Sequence, residues 1–324
     1  MSEVHRFLFD GMPVRGAIVR LTDAWQEVLR RRASDREKGD FPAPLQDLLG
    51  EMSAAAVLMQ SNIKFNGALV LQIAGDGPVK LAVVEVQNDL GLRATATVQG
   101  DIAPQESLSQ MVNQHGTGRC AITLDPSDRL PGQQPYQGVV PLMDADGKFD
   151  DLSRILQHYM RQSEQLDTTL VLAANNEVAA GLLIQRLPGQ GQGNLAGQGA
   201  GDEAAGEEDY QRLAILASSL KREELLALDV NTVLHRLFWQ EPLLRFAPDQ
   251  SDRRPHFHCT CSRERVAKML LGLGEAEVQS VLAEQGQVDV GCDFCSARYV
   301  FDRVDVGALF QTGQIQSRSD SPLH

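Results

Sequence analysis

Four of the five cysteines in the chain fall within residues 259–295, as Cys259-x-Cys261 and then, after thirty residues, Cys292-x2-Cys295. Two close thiol pairs from distant segments can surround one Zn²⁺ tetrahedrally, each pair supplying two thiolates, and this spacing marks a closed four-ligand site. His256 and His258 are ligands by type, but the four cysteines already complete the set, so both are read as flanking surface residues. Cys-x-Cys can close only a small, strained disulfide ring, and strained disulfides are the reversible kind. Thiolate ligands that oxidise become neutral and lose their metal, and with it the binding free energy that folds a small module. The same four residues are therefore read as a metal staple with the chemistry of a redox switch. The fifth thiol, Cys120, alternates with Ile122 and Leu124 in a strand-like run and is read as a small buried apolar residue.

The elements that must hold the cysteines are short. Ser262 caps a helix carrying Val266, Met269, Leu270 and Leu273 on one face and ending at Gly272–Gly274; a second helix runs from Glu275 to about Gln285, and Tyr299–Phe301 closes as a strand. A segment of this size holds too little core to fold alone, and a structural metal contributing on the order of 10 kcal/mol would make it foldable.

The chain has 324 residues, 43% hydrophobic, with a formal charge of −13 and a pI near 5.0. The length suits two domains. The acidity argues against a phosphate-binding surface, since nucleic-acid affinity rests on Lys and Arg, so no nucleic-acid partner is expected. No window approaches a membrane span and residues 1–10 lack a secretory apolar run; a cytoplasmic protein with no membrane contact is expected. In a reducing compartment, clustered thiols point to metal or redox sensing before permanent disulfides.

Residues 5–21 read as two strands joined at Gly11–Pro13, with Thr22 capping a helix from Asp23. Pro42 and Pro44 open a second helix with Leu45, Leu48, Leu49, Met52, Ala56 and Met59 along one stripe. Strand-like runs at 69–73, 81–86 and 93–98 form an antiparallel meander, and Gly75 and Gly77 between them are not a phosphate loop, because no GK[ST] follows. Further strands are read at 119–124, 136–142, 168–173 and 178–187, with a helix capped by Asp150 or Asp151. The stretch 189–208 has seven glycines and no aromatic residue, which reads as a flexible tether. Residues 207–228 read as one helix and 231–239 as another, both amphipathic, whose apolar faces need a partner: the preceding sheet, the cysteine module or a second chain. The expected fold is α+β: an N-terminal antiparallel sheet domain with packed helices (1–187), a tether and helical linker (188–250), and a small C-terminal zinc-binding α+β domain with a disordered tail (251–324).

CTCSRER (259–265) with CDFC (292–295), preceded by KREELLAL (221–228) and VLHRLFWQE (233–241), resembles the redox-regulated heat-shock chaperones of the thirty-three-kilodalton chaperonin family. The likeness extends through HRFLFDGMPVRG (5–16), KFNGALVLQIAGDGPVKLAV (64–83), YQGVV (136–140) and YMRQSEQL (159–166), covering nearly the whole chain. The Gly-rich insert at 189–208 and the residues around Arg31–Asp40 are the main departures. The resemblance implies an ATP-independent holdase, not an enzyme, inactive while reduced and zinc-bound. It implies that oxidation pairs Cys259 with Cys261 and Cys292 with Cys295, that zinc is released, and that the linker then destabilises. Unfolded or oxidatively damaged client proteins would bind to the exposed surface, with the chaperone a homodimer when oxidised. Two rival readings attach to the cysteines. A zinc-ribbon module contacting nucleic acid is disfavoured by the charge of residues 251–302, with six Lys or Arg against eight Asp or Glu. A thiol-disulfide oxidoreductase built on Cys292–Cys295 would need a helix start behind the motif, and none is signalled.

Overall fold

The computed structural model describes residues 1–35, 37–129, 132–188, 200–246 and 253–319. The chain divides into two compact units, Met1–His258 and Cys259–His324.

In the first unit, strands β1 (Glu3–Phe9) and β2 (Val14–Leu21) form a hairpin that turns through Gly11, whose φ of 76° suits a residue without a Cβ. Helix α1 (Asp23–Ala33) follows, but Thr22 does not cap it. The capping oxygen comes from another segment: Ser2 Oγ accepts from the backbone N–H groups of Thr22 at 3.0 Å and Ala24 at 3.1 Å and donates to Asp23. Thr22 yields the role because the buried hydroxyl of Ser2, just before β1, already satisfies those donors.

Helix α2 (Ala43–Asn62) packs against strands of both sheets of this unit and is buried on every side from Met52 to Gln60, not on one stripe. The run Ala54–Ala56 permits this, since small side chains let backbones approach from several directions. The strands β3 (Gly67–Ala74), β4 (Val79–Val86) and β5 (Gly91–Val98) form the expected meander, joined after a short helix α3 (Leu108–Val112) by β6 (Arg119–Pro126) and β7 (Tyr136–Pro141). A small ribbon, β8 (Met143–Asp144) and β9 (Gly147–Lys148), leads to α4 (Leu152–Tyr159), capped by Asp151 and continued as a π-helical turn over Met160–Glu164. Then come β10 (Thr168–Ala174) and β11 (Ala179–Arg186).

Helix α5 (Ala200–Ser218) begins inside the stretch read as a tether, of which 189–199 lie outside the described residues. The single helix expected over 207–228 is two, because the chain breaks at Ser219 and resumes as α6 (Arg222–Ala227). Ser219 Oγ donates to the carbonyl of Leu216 at 2.7 Å, a local bond that competes with helix propagation. Helix α7 (Val230–Phe238), capped by Asp229, is followed by β12 (Leu243–Arg245) and β13 (His256–Phe257).

The strands make a five-stranded antiparallel sheet in the order β10-β11-β2-β1-β12 and a six-stranded sheet in the order β13-β5-β4-β3-β6-β7, antiparallel except for β13 beside β5. Period-two alternation divides the five-stranded sheet between two cores. Ala17, Val19, Leu21, Ala179 and Leu183 join the core around α2, while Val14, Ile18, Ala180, Leu182 and Ile184 face the other way. That second face, with Phe7 and Phe9, is buried by side chains of α5, α6 and α7. Of the three partners open to these helices, the sheet is the one they take.

The second unit holds α8 (Arg263–Leu273), α9 (Glu275–Gln285), the two-stranded β14 (Val288–Gly291) and β15 (Arg298–Phe301), and α10 (Arg303–Ser319). Its core is Leu270, Val278, Leu282, Val288, Phe301, Val306 and Phe310. The α8 face differs from the one expected: Leu270 is buried, but Met269 and Leu273 are 46% and 57% exposed. After the closing strand the chain is helical over Arg303–Ser319, and this helix contributes Val306 and Phe310 to the core.

Candidate metal centre

Two knuckles bring the cysteines together. Cys259 and Cys261 lie on the segment leading into α8, whose N-terminus is fixed by Ser262, its Oγ accepting from the backbone N–H of Arg265 at 3.3 Å. Cys292 and Cys295 occupy the turn between β14 and β15. There the Cys292 N–H donates to the Ala297 carbonyl at 2.8 Å and the Ser296 N–H to the Cys292 carbonyl at 2.9 Å, with Ser296 left-handed at φ 59°. The strand ladder, braced by the fork of Arg298 on Asp289 at 2.9 and 3.1 Å, holds this turn at the closed end of the ribbon, next to the Gly291–Arg298 pair. Arg263 ties α8 to the ribbon: its guanidinium lies 4.1 Å from the Phe301 ring centroid, donates to the Val300 carbonyl at 2.7 Å and pairs with Asp305 at 2.8 Å.

The four sulfurs lie within 4.8 Å of one another. Cys259 Sγ is 3.7 Å from Cys292 Sγ, and Cys261 Sγ is 3.3 Å from Cys295 Sγ. A tetrahedron with metal–sulfur bonds of about 2.3 Å has edges of about 3.8 Å, so these separations fit a four-sulfur cage. All five cysteines are free thiols. The hydrogen bond with Cys259, and then burial, pushes the Cys292 thiol far up, and burial with the neighbouring sulfurs pushes Cys295 up to about 11. Four thiols this close cannot all ionise alone, because each thiolate raises the cost of the next; a divalent cation among them reverses that. The donor set, thiolate only and four in number, is the one Zn²⁺ takes in closed sites.

All four sequence-predicted ligands thus meet, and neither His256 nor His258 belongs to the sulfur cluster. Both histidines are exposed, and their backbone N–H groups donate to carbonyls of Leu90 and Leu92 beside β5. Cys120 is wholly buried in the first unit, and burial pushes its thiol up to about 12, which keeps it protonated and inert. Sequence reasoning missed Tyr299. Its hydroxyl donates to Cys261 Sγ at 3.1 Å, and that bond, followed by burial, raises its own pKa. Alternation along β15 puts Tyr299 and Phe301 on one face, but only the turn geometry reveals which sulfur the hydroxyl meets.

The family model described as Hsp33 protein matches residues 2–302. The 33 kDa chaperonin of Chromobacterium violaceum is 46% identical over 309 residues, covering 95% of this chain and 94% of the relative. That of Methylobacillus flagellatus is 42% identical over 320 residues, covering 98% of each. The crystal structure of the 33 kDa chaperonin of Thermotoga maritima superposes with a TM-score of 0.72 at 19% identity, covering 96% of this chain and 98% of that one, and so shares the fold. With its matched length, its relatives and its fold in agreement, the chain belongs to the Hsp33 family of chaperones.

Proposed function

We propose that this chain is a redox-regulated, ATP-independent holdase whose apolar surface is the α5–α7 face of the five-stranded sheet. The observation that carries the reading is the second core: Phe7, Phe9, Ile18, Leu182 and Ile184 form a continuous apolar sheet face, and the side chains that cover it come from α5, α6 and α7. A holdase needs such a face covered at rest and bared on demand.

Cys259, Cys261, Cys292 and Cys295 would hold one Zn²⁺, which supplies folding free energy of about 10 kcal/mol to the second unit. In the presence of hypochlorous acid, each thiolate pair, Cys259 with Cys261 and Cys292 with Cys295, would give up two electrons and form one S–S bond, while the oxidant takes up those two electrons and one proton from solvent and leaves as chloride and water. Disulfide sulfurs are neutral and no longer hold a cation, so the module gives up the free energy that folded it. Loss of order in the module then favours release of the helical linker and capture of unfolding proteins, with association of two oxidised chains. In these terms residues 1–187 are the client-binding body, 188–250 the linker and 251–324 the switch.

One titration tests the proposal. The reduced, zinc-loaded chain is treated with stepwise hypochlorous acid while zinc release, free thiols and suppression of client aggregation are followed on one sample. The three should change together, and Cys292→Ser with Cys295→Ser should abolish the oxidant response. Zinc loss without gain of anti-aggregation activity would leave the metal as a staple alone.

A further inference from the structure

Helix α6 is held in a different way from its neighbours. Helices α5 and α7 sit on the sheet through rows of buried apolar side chains, such as Leu213 with Ala217 and Leu234 with Phe238, whereas the six residues of α6 bury one, Leu225. A helix this short does not persist by itself in water. Polar contacts hold it instead. Arg222, its first residue, reaches α2, where Nη2 donates to Asp47 Oδ2 at 2.6 Å and Nη1 to Glu51 Oε1 at 3.2 Å; Nη2 also donates to the carbonyl of Ala174 at the end of β10. At the other end Arg20 of β2 donates from Nη1 to the carbonyls of Leu225 at 3.2 Å and Leu228 at 3.3 Å, oxygens of the kind a helix C-terminus leaves without partners. Glu224 pairs with Arg236 of α7.

Asp47 and Glu51 stand one turn apart on α2, and Arg222 bridges their carboxyl oxygens. Burial pushes Glu51 up to about 8, with Arg222 pulling the other way and Asp47 and Asp151 adding to the rise. Removal of the guanidinium leaves this carboxyl pair without its cation.

We propose that Arg222 is the latch of the cover: its pairing with Asp47, Glu51 and the Ala174 carbonyl sets how readily α6, and with it the α5–α7 layer, lifts from the five-stranded sheet. The inference rests on the reading of α5–α7 as a cover. Opening starts where apolar burial is least, and α6 is that place within the layer. A charge latch can break and remake without much apolar surface changing hands, and salt weakens it.

The test uses the full-length, reduced, zinc-loaded chain and hydrogen exchange read by mass spectrometry. Arg222 is 41% exposed and its pairs are partly screened, so Arg222→Gln should speed exchange over residues 222–228 by about tenfold, not more. The change should spread into α5 and α7 and leave β3–β6 untouched. Wild-type exchange in this segment should quicken with added NaCl, and the variant should lose that response. Arg222→Lys, which keeps the charge but not the fork, should fall between the two and serves if the glutamine variant fails to fold. Exchange over 222–238 within twofold of wild type in both variants overturns the latch. Client aggregation, measured on the same samples, separates the two claims. Faster exchange with suppression in the absence of oxidant supports latch and cover together, whereas faster exchange without suppression upholds the latch and removes the cover.

Discussion

Replacement of Phe238 by alanine should bare the sheet face without any oxidant. Phe238 is 2% exposed on α7, its ring edge-on to Phe9 with centroids 5.1 Å apart and tilted against Phe7 at 6.3 Å. Truncation of a buried phenylalanine costs about 3–5 kcal/mol, including the cavity left behind. Because Phe238, Phe9 and Phe7 all belong to the second core and to no part of the core around α2, the loss falls on docking of the helical layer. At about 1.4 kcal/mol per decade, the ratio of docked to undocked forms then drops by about a hundredfold or more. The assay is hydrogen exchange of the reduced, zinc-loaded variant beside light scattering of a denatured client on dilution. Amides of 207–238 should exchange faster while β3–β6 stay protected, and aggregation should be suppressed; Phe238→Leu, which keeps most of the volume, should do little. Equal acceleration in β3–β6 would refute the separation of the two cores, and fast local exchange with no suppression would refute the sheet face as the client surface.

Three further outcomes are expected. Tyr299→Phe removes the hydroxyl donated to Cys261 Sγ and should weaken zinc affinity by about tenfold at unchanged stoichiometry, read by competition with a chromogenic chelator. Cys120, wholly buried in the first unit, should resist thiol reagents in the reduced chain stripped of metal, so that the four cysteines of the second unit react first and the fifth only when the first unit unfolds. Asp76 accepts from the Thr117 N–H at 2.7 Å, the Thr117 hydroxyl at 2.8 Å and the His115 N–H at 3.1 Å; burial acts upward on its carboxyl, but these donors outweigh it and hold the group at about 2. A depressed carboxylate stabilises the fold above its unfolded pKa and loses that contribution as pH falls through about 4 towards 2. Asp76→Asn should therefore cost about 1 kcal/mol at neutral pH after allowance for solvent screening, and the difference should vanish in acid, measured by urea unfolding across pH.

The candidate metal site was legible because thiol spacing is a local property: two short knuckles suffice, and the four sulfurs meet as the spacing implies. The meander was legible for a similar reason, since Leu69, Leu71 and Ile73 alternate within one strand. What the sequence withheld depends on contacts between distant segments. The amphipathic period of 209–228 reveals a face but not its acceptor, and the acceptor is the sheet that carries Phe7 and Phe9. The cap of α1 comes from Ser2, which no local motif at Thr22 discloses. The stripe on α2 hid burial on all sides, because a small-residue run such as Ala54–Ala56 reads as helix propensity whatever surrounds it. The bridge from Arg222 to Asp47 and Glu51 joins residues far apart in the chain and leaves no periodic trace.

The assignment of the sheet's two faces to separate cores makes the covering helices a tethered competitor for one of them. A ligand joined to its own site by a short linker acts at an effective concentration on the order of millimolar. A client segment present at micromolar concentration must therefore bind the face on the order of a thousandfold more tightly than the cover does to hold half of the sites. Occupancy is then set by the ratio of client affinity to the docking strength of α5–α7. On the holdase reading proposed above, restoration of the cover would displace a bound client by mass action.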